Sequence, residues 1–510
     1  MSASIHSSAN DVDAGDAASP HVEALFLIRF DKRVGYTVAW KRTTSGVSLE
    51  NAVEYKSLPS GLHALDSDLV YFTHEGRAGL SAFARGTASA EERNASFVAV
   101  GVLARRDGEY GRLGRAWLLA GRLAKLAVTL AEDAQAVAPL EAFWAEQTAA
   151  SAPTTDADEQ LPAYHPARSM VPYLDVFGPL VFRLQQVALL RKRILFVGRA
   201  PVRAMCEFVY MLSMLSTISA RDAALLVPGT DALLRLPTLF CVGVHDVPAL
   251  EALRDQGWAA CTTDAILATK TALYDIIVEM PSHSCDRQRR TWPQMRTSAG
   301  THIRASQRDV ARFKFMRKEL FQHRNQATDD DDDDAATDDN DTAPLISRPS
   351  VDAQRAEQDY ISALDDHTLV EPLSWSRLAH RGFMWWASAG EADAYLSAER
   401  DMDRDVLGHL STYPPPVELG VIAYFHRIAS TLVQGVAQVI NDAEEDADSE
   451  DAEVVVLEGQ HVTGLGLDGW SEADKAFVGE FGAMYFGRSV VVGRGEAACC
   501  GLMRSYTTRP

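Results

Sequence analysis

FGPLVFRLQQVALLRKRILFVGRAPVRAMCEFVYMLSMLSTI, residues Phe177–Ile218, reads as helix, strand, turn and helix in succession. Val181, Leu184, Val187, Ala188 and Leu190 recur at helical spacing, which predicts a helix with one apolar side. Arg191, Lys192 and Arg193 follow where cations suit the negative end of a helix dipole. Ile194–Val197 is short and wholly apolar, as expected of a strand covered on both faces in a parallel sheet. Gly198 permits a tight turn, and Pro201 fits the first position of a second helix running to about Ile218. That helix is almost entirely apolar, so it must lie deep. The pattern is the core of an α/β layer.

Working outward, Thr238–Val244, Trp258–Cys261 and Tyr274–Val278 are further short apolar strands, with a short helix at Pro248–Gln256. Residues 171–325 therefore read as a mostly parallel sheet with helices on both faces. Upstream, Ala24–Phe30, Tyr36–Lys41, Leu69–Thr73, Leu80–Ala84 and Phe97–Leu103 are strands, and residues 111–133 are predicted as a helix. Residues 21–150 thus form an α+β lobe. Residues 1–20, rich in Ser, Ala and Asp, have a disordered composition, and 151–170 read as a linker. Residues 351–510 are mainly helical: an aromatic segment at Trp375–Trp386, a long apolar helix at Val417–Ile440, then strand, helix and strand at Glu453–Leu457, Ala473–Phe486 and Ser489–Val492.

The chain has 510 residues, enough for about two to four domains, and a formal net charge of −21. Most of that charge sits in two runs, Asp329–Asp341 with nine Asp and Asp442–Glu453 with eight acids, neither holding a base. The first makes 326–350 an acidic, disordered linker, and the second makes 442–453 an acidic loop. In contrast, 287–324 holds eleven Lys or Arg against two acids, Asp309 and Glu319. This stretch suits an anionic membrane surface or reversible pairing with Asp329–Asp341. It lacks the interleaved surface aromatics of a nucleic-acid binder. Ser306 and Asp309 take the positions of a capping box, followed by Val310, Phe313, Met316 and Leu320 on one face.

The six cysteines, at 206, 241, 261, 285, 499 and 500, show no CxxC or zinc spacing and read mostly as reduced core thiols. No signal-peptide pattern opens the chain, and its longest apolar run is too short to span a bilayer. The expectation is a soluble, intracellular protein. Gly464–Gly469 matches G-x-G-x-x-G, but six residues separate it from the preceding strand, where a dinucleotide fingerprint needs an immediate turn. Gly198-Arg199-Ala200-Pro201 lacks the second glycine, Lys and Ser/Thr of a phosphate loop. His245-Asp246 and Thr263-Asp264 lie at strand ends, where turn and cap roles suffice. No catalytic, cofactor or metal residue is assigned, and binding of other proteins is the better reading.

Several segments carry a family resemblance: FLIRFD at Phe26–Asp31, GYTVAW at Gly35–Trp40, VEYKSLPSG at Val53–Gly61, LVYF at Leu69–Phe72, GRLGR at Gly111–Arg115, Phe177–Val197, WAACTTD at Trp258–Asp264 and GFMWWASAGE at Gly382–Glu391. In these the chain resembles the DENN-module proteins, specifically the LCHN-like branch with its fungal members. The resemblance implies a longin-like lobe over 21–150, a central DENN α/β lobe over 171–325 and a helical, downstream DENN-like region over 351–510. It also implies guanine-nucleotide exchange on a Rab-family small GTPase in membrane traffic, with the GTPase gripped across two lobes. The alternative is a scaffold or adaptor of the same fold that binds GTPases or other DENN proteins, including as a heteromer. The implied location is cytoplasmic, peripheral on Golgi or endosomal membranes. The family shares a surface more than a motif, so candidate partner contacts are polar residues at lobe edges. They are Tyr55 and Lys56, Glu75 and Arg77 in a hairpin, and Arg199 and Arg203 beyond the central strand.

Overall fold

The strand at the centre of the decisive stretch is β6 (Arg193–Val197), with Ile194, Leu195 and Phe196 buried in the computed structural model. The structure describes residues 19–31, 33–44, 46–61, 64–86, 97–106, 111–133, 137–149, 161–281, 290–330, 351–372, 404, 417–446 and 454–493. β6 runs parallel to β8 (Trp258–Thr262) on one side and β9 (Ile276–Glu279) on the other, and β7 (Thr238–Cys241) lies parallel beyond β8. Leu195 faces Leu250, Trp258 and Leu267, while Phe196 meets the ring of Phe177, which packs on Phe208 of the helix Arg203–Leu215. Both faces are covered, which is why the strand tolerates no polar residue at its centre. Gly198 follows because a Cβ there would lie 2.5 Å from Met205 Sδ.

The antiparallel strands are β1 (Val22–Asp31), β2 (Gly35–Thr43), β3 (Ser67–His74), β4 (Arg77–Arg85) and β5 (Phe97–Ala104). They do not form a sheet of their own. β3 joins β7 antiparallel at the pair Phe72–Phe240, and β10 (Gln294–Thr297) and β11 (His302–Ile303) extend the far edge. The result is one eleven-stranded mixed sheet in the order β11-β10-β9-β6-β8-β7-β3-β4-β5-β1-β2. Where its two halves meet, Phe240 takes a positive φ of 58° and the β7–β8 register slips, a bulge that turns one strand pattern into the other.

Several expected boundaries move. The second helix of the decisive stretch starts at Arg203, not Pro201, and the N–H of Val202 just ahead of it, which has no acceptor within the helix, donates at 2.6 Å to the Asp68 carboxylate of β3. The helix predicted over 111–133 starts only at Ala120, after a single 3-10 turn at Ala116–Leu119. Gly111, Gly114 and Arg115 all have positive φ, so the chain turns there first. The short helices Val53–Ser57 and Ala138–Ala149 and strands β10 and β11 were not legible in the pattern. Of the linker expected over 151–170, residues 151–160 lie outside the described residues, but Pro166–Ser169 form a 3-10 turn leading into the helix Met170–Phe177. The helices Gln307–Asp330 and Val417–Asp446 run into the starts of the acidic linker and acidic loop expected from 326 and 442. The acidic runs past residue 330 and from 447 to 453, the aromatic segment 375–386 and Cys285, Cys499 and Cys500 lie outside the described residues.

The chain divides into two compact units. Unit 1 comprises Met1–Phe177, Arg191–Leu215 and Leu236–Ile303, and holds the whole eleven-stranded sheet. Unit 2 comprises Gly178–Leu190, Ser216–Arg235 and Arg304–Pro510. The helix Leu180–Leu189 that opens the decisive stretch therefore belongs to unit 2, unlike the strand after it. Unit 2 also has the helices Gln307–Asp330, Val351–Ala363, Val417–Asp446, Gly459–Gly464 and Glu472–Phe486. Its strands β12 (Val454–Leu457) and β13 (Ser489–Val492) pair in parallel, as the strand–helix–strand reading expects.

One arginine organises unit 2. Arg183, 1% exposed, lies 2.5 Å from Asp474, 3.1 Å from Glu371 and 3.3 Å from Asp309, and donates to the carbonyl of Arg304 at 2.9 Å and Ser471 Oγ at 2.9 Å. The capping box is real: Ser306 N donates to Asp309 Oδ2 at 2.8 Å and Asp309 N donates to Ser306 Oγ at 3.1 Å. Burial, reinforced by the charge of Asp474, pushes the Asp309 carboxyl up to about 6, against the pull of Arg183.

Candidate functional surface

In a sheet of this kind the open ground lies at the carboxyl ends of the parallel strands, where loops rather than helices finish the structure. Here the loops after β6, β7 and β8 converge with the segment 53–61, all within unit 1. Lys56 Nζ, only 15% exposed, reaches Asp246 Oδ1 at 2.7 Å and the Thr73 carbonyl at 2.8 Å. Asp246 Oδ2 accepts the N–H of Gly243 at 2.9 Å and stands 3.1 Å from His245 Nε2. Burial opposes charge on Asp246, but His245, Lys56 and the Gly243 N–H outweigh it and hold the carboxyl down at about 2. Asp264, after β8, accepts the Val244 N–H at 2.9 Å and the hydroxyl of Ser60. Gly61 lies against Ala200, next to the exposed Arg199.

This network fixes a rim whose outer residues are apolar. Tyr55 is 51% exposed with its ring 5.3 Å from that of His245, and Val244 and Ile266 are 50% and 57% exposed. Apolar groups held up on a rigid polar base are what a protein-contacting patch requires.

Tyr55, Lys56 and Arg199 among the sequence candidates come to this surface. Arg203 points to structural work: it pairs with Glu207 at 2.7 Å and stacks 5.2 Å from the Tyr164 ring. Glu75 and Arg77 lie elsewhere. β3 runs antiparallel to β7, so the Glu75-Gly76 turn falls at the amino end of the parallel strands. There Arg77 pairs with Glu23. Val244, Ile266 and Ser60 were missed; the available signal was an apolar residue set among turn formers just past a strand, as in Gly243-Val244-His245-Asp246. The cap role read for His245-Asp246 holds at Asp246, which accepts the Gly243 N–H and also pairs with Lys56. Asp264 makes no side-chain cap bond to the 3-10 turn Ala265–Thr269 that follows it, and accepts instead from the Val244 N–H and Ser60.

The basic stretch 287–324 turns inward more than its charge suggests. Arg308 and Arg312 are buried, donating to the carbonyls of Thr463 at 3.1 Å and Gly466 at 3.2 Å. Arg317 holds Glu357 at 2.7 and 2.9 Å and covers the Tyr360 ring at 3.4 Å, and Lys314 pairs with Asp365 at 2.9 Å. These cations serve unit 2 itself. At Gly464–Gly469 the helix Gly459–Gly464 fills the place of the immediate turn, and Asp474 Oδ2 accepts the Asp468 N–H at 2.8 Å, so the loop is closed by its own carboxylate. Among the described residues no group of three or more His, Cys, Asp or Glu is arranged to hold a metal ion, and no helix is long and apolar enough to cross a membrane.

The large mixed sheet, with helices about it and this rim at the carboxyl ends of its parallel strands, defines a mixed α/β fold. The family model for DENN domain-containing protein 11 matches residues 25–290, about half of the chain, and the chain belongs to that family. A domain of unknown function (DUF4484) matches 370–454 and 442–503. DENN domain-containing protein 11 of Xenopus laevis is 32% identical over 275 residues, 51% of this chain and 60% of that protein. Its Danio rerio counterpart is 30% identical over 277 residues, 51% of this chain and 53% of that protein. The uncharacterized protein ANR2 of Saccharomyces cerevisiae is 23% identical over 524 residues, 92% of each chain. The matches to the two vertebrate proteins thus span only about half to three-fifths of their lengths.

Proposed function

We propose that this protein is a guanine-nucleotide exchange factor for a Rab-type small GTPase in membrane traffic. The observation that carries the reading is the rim of Tyr55, Val244 and Ile266 on the Lys56–Asp246 and Ser60–Asp264 base, in a chain of the DENN family. The rim takes residues from both 21–150 and 171–325, the two segments that this reading has bind the GTPase together, and they share one sheet. Exchange of this kind forms no covalent bond. A partner surface that fits the GTPase best without nucleotide lowers the barrier to GDP release by binding that state more tightly.

The test is release of fluorescent GDP from a panel of Rab GTPases with the full chain. Acceleration for at least one member is expected, and Tyr55→Ala or Val244→Asp should cut it about tenfold, as loss of an interface anchor does. No acceleration for any member would defeat exchange. Stable binding to the GTP-loaded form without faster release would favour a scaffold.

A further inference from the structure

Three cysteines from three elements of unit 1 meet inside the sheet. Cys206 lies on the helix Arg203–Leu215, Cys241 ends β7 and Cys261 lies on β8, and all three are buried free thiols. Cys206 Sγ donates to the Tyr71 carbonyl of β3 at 3.5 Å and stands 3.6 Å from Cys261 Sγ, so the two sulfurs touch with nothing between them. With its own proton turned to Tyr71, Cys206 presents a lone pair to the Cys261 thiol. Cys241 and Cys261 are register partners in the parallel pair β7–β8. Lateral neighbours of that kind send their Cβ atoms out side by side from strands about 4.8 Å apart, wider than the roughly 3.8 Å between the Cβ atoms of a disulfide. Cys206 comes to Cys261 from the helix layer instead, sulfur to sulfur. Its helix begins just after Arg199, and β8 leads through Asp264 to Ile266, so a bond here ties the loop after β6 to the loop after β8.

We propose that Cys206 and Cys261 form a disulfide when a hydroperoxide reaches them, a reversible lock between the helix layer and the sheet. The way in is the join of the two sheet halves. There β3 meets β7 at the one residue pair Phe72–Phe240, and Phe240, next to Cys241, carries a positive φ of 58°. A seam with so few ladder bonds is where local opening starts. Burial pushes both thiols up, Cys261 further, so Cys206 supplies the first thiolate. Its sulfur attacks one peroxide oxygen, the O–O bond breaks, and Cys206 becomes a sulfenic acid with loss of one water. The Cys261 sulfur, already in contact, attacks the Cys206 sulfur; the S–S bond forms, the S–O bond breaks, and the second water leaves with the Cys261 proton. Two thiols give up two electrons and two protons, and the peroxide takes them as two waters.

Disulfide mapping tests this on the unaltered chain. Reduced full-length protein, freed of reductant, is given hydrogen peroxide for graded times, quenched with N-ethylmaleimide in urea, and digested without reductant for mass spectrometry. The linked pair Cys206–Cys261 is expected at least about fivefold above any other pair containing Cys206, Cys241 or Cys261, and should vanish after dithiothreitol. Cys241→Ala should leave the link in place. Oxidation should raise the melting midpoint by about 5 °C or more, because the bond joins residues 55 positions apart, and should not do so in Cys206→Ala. Sulfinic or sulfonic acid at Cys206 without the link overturns the proposal. So does a link that forms only in urea, or one that prefers Cys241. An unchanged or lowered midpoint in the linked protein overturns the lock.

Discussion

Two ion-pair clusters, one in each unit, use the same chemistry to different ends. Around Arg183 in unit 2 the cation is 1% exposed and its partners come from segments far apart in the chain: Asp309, Glu371 and Asp474. Around Lys56 in unit 1 the ammonium and the Asp246 carboxylate are also mostly sheltered, yet they support a rim of exposed apolar residues. A fully buried charge has no alternative partner in water, so its ligands fix the fold. A charge pair just below the surface fixes the shape of whatever lies above it. Burial, not residue type, separates a structural cluster from a presenting one.

The contrast is broken most forcefully at Arg183. Arg183→Met leaves Asp309 and Asp474 buried without their cation, and should cost about 3–5 kcal/mol of stability, measured by urea unfolding. A loss below about 1 kcal/mol would mean the cluster is not what holds unit 2 together. Lys56→Met removes two bonds from a partly sheltered ammonium, and about 1–2 kcal/mol is expected. Here exchange or GTPase binding should fall further than stability does.

Proton dependence sharpens the comparison, since the two carboxylates shift in opposite directions. Asp309 is raised to about 6, so the native state holds its proton more firmly than the unfolded chain does. Its contribution grows as pH falls from about 6 towards the ordinary carboxylate value, and is lost again as pH rises through 6. Asp246 is lowered to about 2, so its contribution is present above the ordinary value and fades only as pH falls towards 2. Hydrogen exchange should show unit 2 amides better protected at pH 5 than at pH 7, with the loop 243–246 indifferent over that interval. Asp309→Asn should flatten the unit 2 response. The smallest stability effect is expected at Tyr55: Tyr55→Ala should move the melting midpoint by no more than the equivalent of about 0.5 kcal/mol, because the ring is half in water. A large shift would mark it as a core residue and remove it from the interface.

How much was legible varied with the range of the interaction. β6, β8 and the strands of the antiparallel half could be read, because an apolar run or an alternation is written in adjacent residues. The capping box at Ser306 and Asp309 was legible for the same reason. Among the candidate contacts, Tyr55, Lys56 and Arg199 share one end of the strands and Glu75 and Arg77 lie at the other, a separation no local pattern reveals, since strand direction across β3 and β7 is set by a pairing 168 positions apart, Phe72 with Phe240. Arg312 read as surface charge until the rings of Phe182 and Tyr424 were seen beneath it at 5.0 and 5.7 Å.

The sequence alone settled most of the longer strands and helices, that a parallel layer lies at the heart of the chain, and which family it resembles. Tertiary structure alone decided that both sets of strands share one sheet, that Asp68 of β3 meets the N–H of Val202 ahead of a helix 135 positions downstream, and that Lys56 finds Asp246. The reason is physical: backbone preference and apolar periodicity act over a few residues, while pairing and ion-pair choice depend on which surfaces burial brings together.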